Sequence, residues 1–563
     1  MSEKITPCIS RKERVAERGT LPGGQVIMHI RGSLATARTL SAVSTLLATR
    51  RRKDALLFVV LFSALLGLTP LLILSGMTVG FSLVFGILAV LLLTISIVRW
   101  PSLSLFVVAG CVFLVEQEPL STPILTDNLY IFHWPTQLEG FVERPIGVLI
   151  LFSLAIWVIH QLAQRRQLLR GGALLIPFSL FMLCVIGGAL YGLVSGGDLK
   201  IIVVEVRPLW YLFISYLMAY NFVTQKGHIR TFFWLAILCA GAKALQGLYI
   251  YLIALHGDLQ GIDTIMSHEE SFFFAALLLL IIILCLCHRY RPQLFAALLV
   301  APAVLVAMVV NQRRTDYVAL LVGVGVAWVL VFLIRPKARK SLIVGLLICV
   351  VLGTGYVIAF AHASGTLAEP ARAIISVFNP AASDVRDATS NLYRIYEDND
   401  LKYTVKQYPL GLGFGKPFLQ PQPLTSIFPN IIGFDPYYNY VPHNTIYWIW
   451  ADLGPIGYFA LWFLIGAIIV RGCIIVRRLR DPYFQVAAIY IVAVTFMEVV
   501  VAFADYQLFF FRNVISLGLL CGILVKLPIL DQQEQQKSQE VLANESTHGV
   551  STPPPPVVGS RNA

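Results

Sequence analysis

Charge is scarce in this sequence, and its scarcity excludes a water-soluble fold. Only 13% of the 563 residues are charged, whereas 57% are hydrophobic, and the mean hydropathy is +0.75. A soluble protein of this size does not bury so large an apolar fraction. Apolar runs of about 17–25 residues recur, and each can cross a hydrocarbon layer as a helix, which satisfies its own backbone polar groups. The sequence therefore predicts an all-α, polytopic membrane protein.

The apolar runs predict about fourteen transmembrane helices and one long loop. The expected spans lie near 55–75, 79–98, 102–118, 145–163, 173–194, 208–225, 230–255, 271–288, 292–310, 315–334, 341–361, 443–470, 483–504 and 507–527. The expected divisions are a basic cytoplasmic tail (1–54), helices 1–11 (55–361), an external loop (362–441), helices 12–14 (442–527) and a disordered cytoplasmic tail (528–563).

Lysine and arginine are placed unevenly, and their placement predicts the orientation. With fourteen spans in alternation, the basic clusters fall on one face, which we expect to be cytoplasmic together with both termini. The net charge of +12 is then accounted for by membrane lipids of the inner leaflet, and no nucleic-acid partner is expected. The clusters lie at 50–53, 165–166, 226–230, 288–291, 335–340 and 477–480.

The predicted external loop, 362–441, lacks cysteine, which argues against a disulfide-stabilised outer domain. Seven of the nine cysteines fall in predicted spans, Cys473 lies three residues after one, and the ninth is Cys8. A convincing set of metal ligands is missing too. The run from Glu397 to Asp400 has the composition of a metal-binding cluster, but the solvated face of a helix explains it more simply. We therefore expect neither a metal nor another cofactor.

The same loop is rich in tyrosine and phenylalanine. These side chains pack on the apolar faces of sugars, but they also gather at membrane interfaces, so composition leaves both interpretations open. Within the loop, residues 391–407 have the pattern of a helix. The run GLGFG at 411–415 has no strand before it and no helix after it, so it is not a nucleotide-binding motif. It predicts a tight turn that brings the backbone close to another segment.

Two arginines break the positive-inside pattern. Arg313 and Arg314, in NQRRTDYVALL, lie on the predicted outer face at the start of a span. Arginine in this place suggests an anionic partner, and a salt bridge to Asp316 is the alternative. The first turn of a helix has unpaired N–H groups and about half a positive charge, so a helix start suits a phosphate.

Arg207, in VEVRPLWYLF, and His443, in VPHNTIYW, occupy the same kind of place in the predicted topology. Glu205 is the alternative partner of Arg207. Since all these spans are predicted to begin at the outer face, the sequence predicts an anion pocket there.

Three charged residues lie deep within predicted spans. Glu498 and Arg512 are at similar depths on consecutive helices, so we expect them to pair. Lys243 has no obvious partner in the sequence. It is a functional candidate by default, because an ionisable residue inside a membrane is costly.

Three motifs in a particular order carry a resemblance to a known family. The arginine pair is followed by SNLYRIYEDNDLKYTVKQYPLGLGFG in the long loop, and then by HN at the start of a helix that contains ADLGPIGY. Over roughly residues 300–466, this arrangement resembles the O-antigen ligase/polymerase family. No single motif is specific, but the order and spacing of the three are.

The resemblance implies a GT-C-like membrane glycosyltransferase. Such an enzyme transfers a glycan from a polyprenyl-diphosphate carrier to an acceptor at the outer face of the bacterial inner membrane, without a nucleotide sugar or a metal. The acceptor is another glycan, lipid A-core or a protein. The chain has about two helices more than the ligases of the family, which favours a polymerase. The alternatives are a flippase or exporter of lipid-linked glycans, and a membrane protein without a catalytic site.

The resemblance also implies roles for particular residues. Arg314 and Arg394 are in the positions of arginines that contact the diphosphate, and His443 is in the position of a catalytic histidine. Arg313 replaces a residue that is usually small, so either arginine of the pair can be the one used. The remaining candidates for binding the diphosphate or the glycan are Arg207, Tyr393, Gly413 and Asn444.

The chemistry of these residue types agrees with such a reaction. A departing diphosphate gains negative charge, which arginines held in place stabilise by several kcal/mol. The acceptor hydroxyl is a poor nucleophile, and a neutral histidine accepts its proton. A helix start and nearby arginines disfavour the imidazolium form, so we expect His443 to act as the base. Asn444 is expected to orient the imidazole or the sugar.

Overall fold

The computed structural model describes residues 79–116, 143–165, 170–259, 264–287, 291–361, 363, 365, 368–378, 385–421, 423–424 and 439–548. Over these residues the chain is helical and contains no strand, which confirms the all-α class. The chain separates into two compact units, residues 1–89 and 90–563. The second unit contains every helix from α2 onward.

The described residues form fifteen α-helices. In chain order they are α1 (Val79–Arg99), α2 (Ser102–Leu114), α3 (Pro145–Ala163), α4 (Leu175–Val194), α5 (Leu199–Phe222), α6 (Lys226–Tyr249), α7 (His268–Cys287), α8 (Arg291–Val310), α9 (Arg314–Ile334), α10 (Arg339–Phe360), α11 (Glu369–Phe378), α12 (Val385–Gln407), α13 (Thr445–Arg478), α14 (Pro482–Ala502) and α15 (Phe511–His548).

Eleven of these helices are long and apolar enough to cross a bilayer: α3 to α10 and α13 to α15. They correspond one to one to eleven of the fourteen expected spans, so the polytopic architecture is confirmed. The expected second span coincides with α1, whereas α2, with 13 residues, is shorter than a crossing of about 20 residues. The first expected span, 55–75, lies outside the described residues, as does the tail 1–54.

The last helix corrects an expected boundary. We predicted a disordered tail from residue 528, but residues 528–548 continue α15. Asp531 gives a physical reason for this order. Its carboxylate accepts hydrogen bonds from the backbone N–H groups of Arg480 (3.1 Å) and Asp481 (2.9 Å), which joins α15 to the turn before α14.

The helices at the centre of the bundle approach each other closely. At Gly518 and Gly522 of α15, an added Cβ would lie 2.4 Å from the carbonyl oxygen of Leu212 and 2.5 Å from that of Tyr216. These glycines therefore allow α15 to pack against the backbone of α5. By contrast, nearly all of α10 is exposed at the rim of the bundle, where its leucines and valines suit contact with lipid.

Two ends of the bundle have different chemistry. At what we call the basic end, Lys226 at the start of α6 pairs with Asp481 before α14, and the Arg335 guanidinium donates to the Cys287 carbonyl at 3.0 Å. The opposite end, the site end, carries the starts of α7, α9 and α13 and the turn between α14 and α15. Lys226 and Arg335 belong to two of the predicted basic clusters. They lie at the same end, as the predicted placement of these clusters requires.

The charges inside the bundle are paired differently from our prediction. Arg512 does not pair with Glu498. Its guanidinium instead donates to Glu270 of α7 at 2.6 Å and to the Val112 carbonyl of α2 at 2.7 Å, while Gln507 donates to Glu498 at 2.5 Å. The prediction compared only consecutive helices, whereas helices distant in sequence supply the carboxylate.

Lys243 also has partners, although none was apparent from the sequence. Its ammonium group pairs with Glu116, and it donates to the Gln246 side chain at 2.8 Å. Glu116 comes just after α2, more than a hundred residues earlier. The pairing accounts for a fully buried lysine without a catalytic role, because a buried charge requires a close opposite charge.

Candidate active site

The glycine-rich turn at 411–415 anchors the loop that carries α12. Gly411, Gly413 and Gly415 all have φ between +83° and +99°, a region that favours glycine. An added Cβ at Gly413 would lie 2.8 Å from Cα of Gly192 in α4. The close backbone approach predicted for this turn is therefore confirmed, and it accounts for glycine at each position.

Hydrogen bonds join this turn to two membrane helices. The N–H groups of Leu412 and Gly413 donate to the carbonyls of Ala451 and Asp452 at 2.7 and 3.0 Å, next to a kink in α13 at Gly454. The Gly415 N–H donates to the buried carboxylate of Glu205 at 2.6 Å. Gly413 thus packs against α4 and α13, and the structure does not bring it to the predicted histidine.

His443 is held by a carboxylate of α12. The Glu397 carboxylate accepts a hydrogen bond from the His443 backbone N–H at 2.9 Å and lies 3.2 Å from its Nδ1 atom. The Tyr393 hydroxyl donates to the same carboxylate at 3.2 Å. Glu397 is 1% exposed, whereas the side chain of His443 is 22% exposed. The imidazole is therefore anchored on one side and accessible on another.

Asn444 begins α13 and also contacts α12. Its side-chain oxygen accepts a hydrogen bond from the Tyr447 N–H at 3.1 Å, the usual arrangement of an N-terminal cap. Its side-chain nitrogen donates to Asp398 at 3.1 Å. Burial raises the pKa of the Asp398 carboxyl, while the hydrogen bond from Asn444 and the charge of Lys402 oppose the rise.

Of the two arginines predicted to bind the diphosphate, Arg314 contacts α12 and Arg394 belongs to it. α9 begins at Arg314, as predicted, and its guanidinium lies 3.4 Å from the side-chain oxygen of Asn391. Arg394 is one turn further along α12. Its Nε atom is buried and has no hydrogen-bond partner among the described residues. Arg314 of α9 therefore contacts α12 one helical turn before Arg394.

Arg313 contacts a residue that the sequence did not indicate. Its guanidinium lies 3.8 Å from Asp505, in the turn between α14 and α15, and His268 at the start of α7 lies 3.7 Å from the same carboxylate. Burial alone would raise the pKa of Asp505, but the contacts with His268 and Arg313 hold it well below its usual range. This carboxylate remains ionised at neutral pH.

The same turn contacts His443. The ring of Tyr506 lies 4.2 Å from the imidazole of His443, centre to centre, and the Tyr506 N–H donates to Asp505 at 2.9 Å. Contacts through Asp505, Tyr506 and Glu397 thus join Arg313, His443 and Tyr393 at the site end, where Arg314 and Asn444 also contact α12. Arg394 lies on the same helix as Tyr393 and Glu397.

Arg207 is placed differently from our prediction, in which it begins a helix. α5 begins at Leu199, where the Asp198 side chain accepts hydrogen bonds from the first backbone N–H groups. Arg207 is therefore in the third turn, buried, on the helix face of Tyr211, whose hydroxyl contacts Glu143. Asp198 is a residue type that often caps a helix start, but the prediction relied on the apolar run, which begins at residue 208 and places the helix start too late.

The acidic run of α12 serves contacts within the protein. Glu397 binds His443 and Asp398 binds Asn444, as described above. Burial and the charge of Glu397 raise the pKa of Asp400 to about 6. Among the described residues, no group of three or more His, Cys, Asp or Glu side chains is arranged to hold a metal ion.

Sequence reasoning missed Glu397, Asp505, Tyr506 and His268 as parts of the site. In the sequence, Glu397 stands out only as part of an acidic run with the composition of a metal-binding cluster. The signal that could have identified it is its spacing of four residues from Tyr393, which places both side chains on one face of α12. Asp505 and Tyr506 lie in a short connection between two spans, where the sequence offers no comparable pattern.

These features define a multi-pass, all-α membrane protein with a histidine–arginine site at one end of the bundle. Residues 303–462 match the model of the O-Antigen ligase family. The match confirms, for this segment, the O-antigen ligase/polymerase assignment predicted from the sequence. It runs from α8 into α13 and includes Arg313, Arg314, Arg394 and His443, whereas Arg207 lies outside it. No curated protein matches the chain.

Proposed function

We propose that the protein transfers a glycan from a polyprenyl-diphosphate carrier to an acceptor at the outer face of the bacterial inner membrane. The observation that carries the proposal is that His443 and Arg313 contact the same turn, through Tyr506 and Asp505, at one end of the bundle. These residues come from two helix starts that are about 130 positions apart in the sequence. The family match over the same segment supports a ligase or polymerase activity.

The arginines suit the diphosphate of the donor. Arg314 begins α9, so that its guanidinium lies beside the unpaired N–H groups of the first turn. Arg394 adds a second guanidinium from α12. As the bond between the sugar and the diphosphate breaks, these groups stabilise the negative charge that develops on the leaving oxygen.

His443 suits the acceptor. The acceptor hydroxyl attacks the anomeric carbon, and its proton passes to the imidazole while the carrier diphosphate leaves. The exposed part of the His443 side chain gives a hydroxyl access to the ring. In this scheme the acceptor is a second carrier-linked glycan, lipid A-core or a protein.

An apolar cavity is suited to the isoprenoid tail of the carrier. Its volume is about 1250 Å³, and it lies between α7, α9, α10 and the short helix α11. Leu321 of its lining is seven residues beyond Arg314, so the cavity begins about 10 Å along α9 from the arginine. A tail in this cavity would leave its diphosphate near the helix start.

A flippase or exporter is less well supported. Carrying a charged head group across the membrane requires polar groups that are available along a path. The buried cations Lys243 and Arg512 instead pair with Glu116 and Glu270 at close range.

The proposal is tested with purified protein, a carrier-linked oligosaccharide and candidate acceptors. We expect transfer in which free polyprenyl diphosphate is released in proportion to the product. The His443→Ala variant, at matched purity, serves as the control. In cells, loss of all chains beyond single repeat units on deletion would indicate a polymerase, and full-length chains left on the carrier would indicate a ligase. Transport of the donor without release of the diphosphate would contradict the proposal.

A further inference from the structure

We propose that Glu397 is the positioning residue of His443, so that a carboxylate–imidazole pair performs the proton transfer. The inference rests on the proposed function for its catalytic consequence. The contacts of Glu397 with His443 and Tyr393 are made between residues of this chain, so they do not depend on the proposed function.

The Glu397 carboxylate makes three contacts at once. One oxygen accepts the His443 backbone N–H, both oxygens lie 3.2 and 3.3 Å from Nδ1 of its ring, and the Tyr393 hydroxyl donates to the carboxylate. Backbone and ring are therefore held by one group. A buried carboxylate with these partners has little freedom to turn elsewhere.

Two aromatic rings restrict the imidazole further. Tyr506 lies against one face at 4.2 Å with 35° between the planes, and Tyr393 meets the imidazole nearly edge-on at 5.3 Å. Together with the contact at Nδ1, these rings leave Nε2 as the nitrogen that is not directed at the carboxylate. Rotation of the ring would break the contact with Glu397.

This arrangement assigns a role to each nitrogen. A carboxylate accepts hydrogen bonds, so Nδ1 carries the hydrogen of the neutral imidazole and Nε2 carries the lone pair. The acceptor's proton therefore moves to Nε2. The imidazolium formed in that step is stabilised by the negative charge of Glu397, and the proton is later released to water.

Other charged or titratable groups also act on His443. They are Tyr393 of α12, Asp505 and Tyr506 of the turn after α14, and His268 of α7. Glu397 differs from them because it contacts the ring nitrogen directly. Its replacement should therefore change the titration of His443 more than any single change among the others.

The first test compares Glu397→Gln with Asp400→Asn. Both replace a buried carboxylate of α12 by an amide of the same size, but Asp400 does not contact His443. We expect Glu397→Gln to lower turnover about 10²–10³-fold, because the amide cannot stabilise the imidazolium. Binding of the carrier-linked donor should stay within about twofold. Asp400→Asn should retain most of the turnover.

The second test does not depend on transfer activity. Diethyl pyrocarbonate modifies neutral imidazole, and the rate at His443 is measured from pH 5 to 8 by mass spectrometry of its peptide. In Glu397→Gln we expect the half-maximal rate at a pH about one unit lower, since loss of the negative charge favours the neutral ring. In Asp400→Asn the profile should stay within about 0.3 unit of wild type.

The two tests separate the possible failures. If the profile of His443 is unchanged in Glu397→Gln, the carboxylate does not act on the ring and the inference is wrong. Equal loss of donor binding and turnover in Glu397→Gln would also overturn it, because the change would then be structural. If the profile shifts but the wild type transfers no glycan, the pair exists and only the proposed function fails.

Discussion

The bundle interior and the site end bury their charges in different ways. Inside the bundle, Arg512 has no exposed surface and donates to Glu270 at 2.6 Å. At the site end, the side chain of Arg313 is 18% exposed and stays 3.8 Å from Asp505, while Arg314 reaches Asn391 at only 3.4 Å. The interior charges are fully buried and paired with one another, whereas Arg313, Arg314 and His443 keep part of their surface exposed. The comparison separates charges enclosed within the fold from charges that solvent can reach.

The largest effect should come from breaking the interior network. Arg512→Met would remove the cation that the buried Glu270 carboxylate contacts at 2.6 Å, which costs about 3–5 kcal/mol. We expect little folded protein, measured as the monodisperse fraction and its melting temperature in detergent. Lys537→Met is the matched control on the same helix. Its pair with Glu534 is exposed and contributes about 1 kcal/mol or less. Equal stability of the two variants would show that the interior pairing is dispensable.

Changes at the site should instead affect activity and spare the fold. We expect His443→Ala to lower turnover by about 10²–10⁴-fold with donor binding retained, because the base is lost but the arginines remain. Initial rates and donor binding at matched protein levels measure both effects. Near-normal turnover of His443→Ala would show that the histidine is a structural residue at a helix start and does not act as the base.

The arginines should show a smaller, mixed effect. Arg314→Ala and Arg394→Ala each remove one charge-assisted contact, so both donor affinity and turnover should fall, by about 10–100-fold. Lysine should restore only part of the loss, since its point charge lacks the planar fork of arginine. Donor affinity is measured with a labelled carrier diphosphate. Full rescue by lysine would mean that charge alone is used at these positions.

The apolar cavity offers a more modest test. An added Cβ at Gly325 meets no atom within 4 Å, so Gly325→Phe should fill the cavity without disturbing the bundle. We expect about a fivefold to tenfold rise in KM for a full-length carrier, the loss of about 1–1.5 kcal/mol of apolar contact. A donor with a short tail should be unaffected. Gly187→Phe on the exposed face of α4, also with open space, controls for the glycine replacement.

The smallest expected effect is that of a chelator. In the proposed function arginines balance the charge of the diphosphate, so excess EDTA should change the initial rate by less than about twofold. Restoration of a lost rate by magnesium or manganese would instead direct attention to the acidic run of α12.

The sequence was sufficient to predict those features that depend on the residues of one helix. Apolar length predicted eleven described spans, and Asn444 could be identified as the start of α13 because asparagine is a preferred cap. Contacts between distant segments were not predictable. Glu397 meets His443 across 46 positions, and the glycine-rich turn that follows α12 packs against α4 and α13. Arg512 and Glu270 are separated by 242 positions, and no local pattern relates them.

The position of Tyr506 has a consequence for biogenesis. The candidate site draws on segments from His268 to Tyr506, and the turn that packs on His443 is synthesised after the arginines and the histidine. A ribosome-bound chain that has inserted α13 holds the arginines and the histidine but lacks this turn. Catalytic competence should therefore appear only when α14 and α15 have entered the membrane, so a nascent chain would not consume carrier-linked glycan.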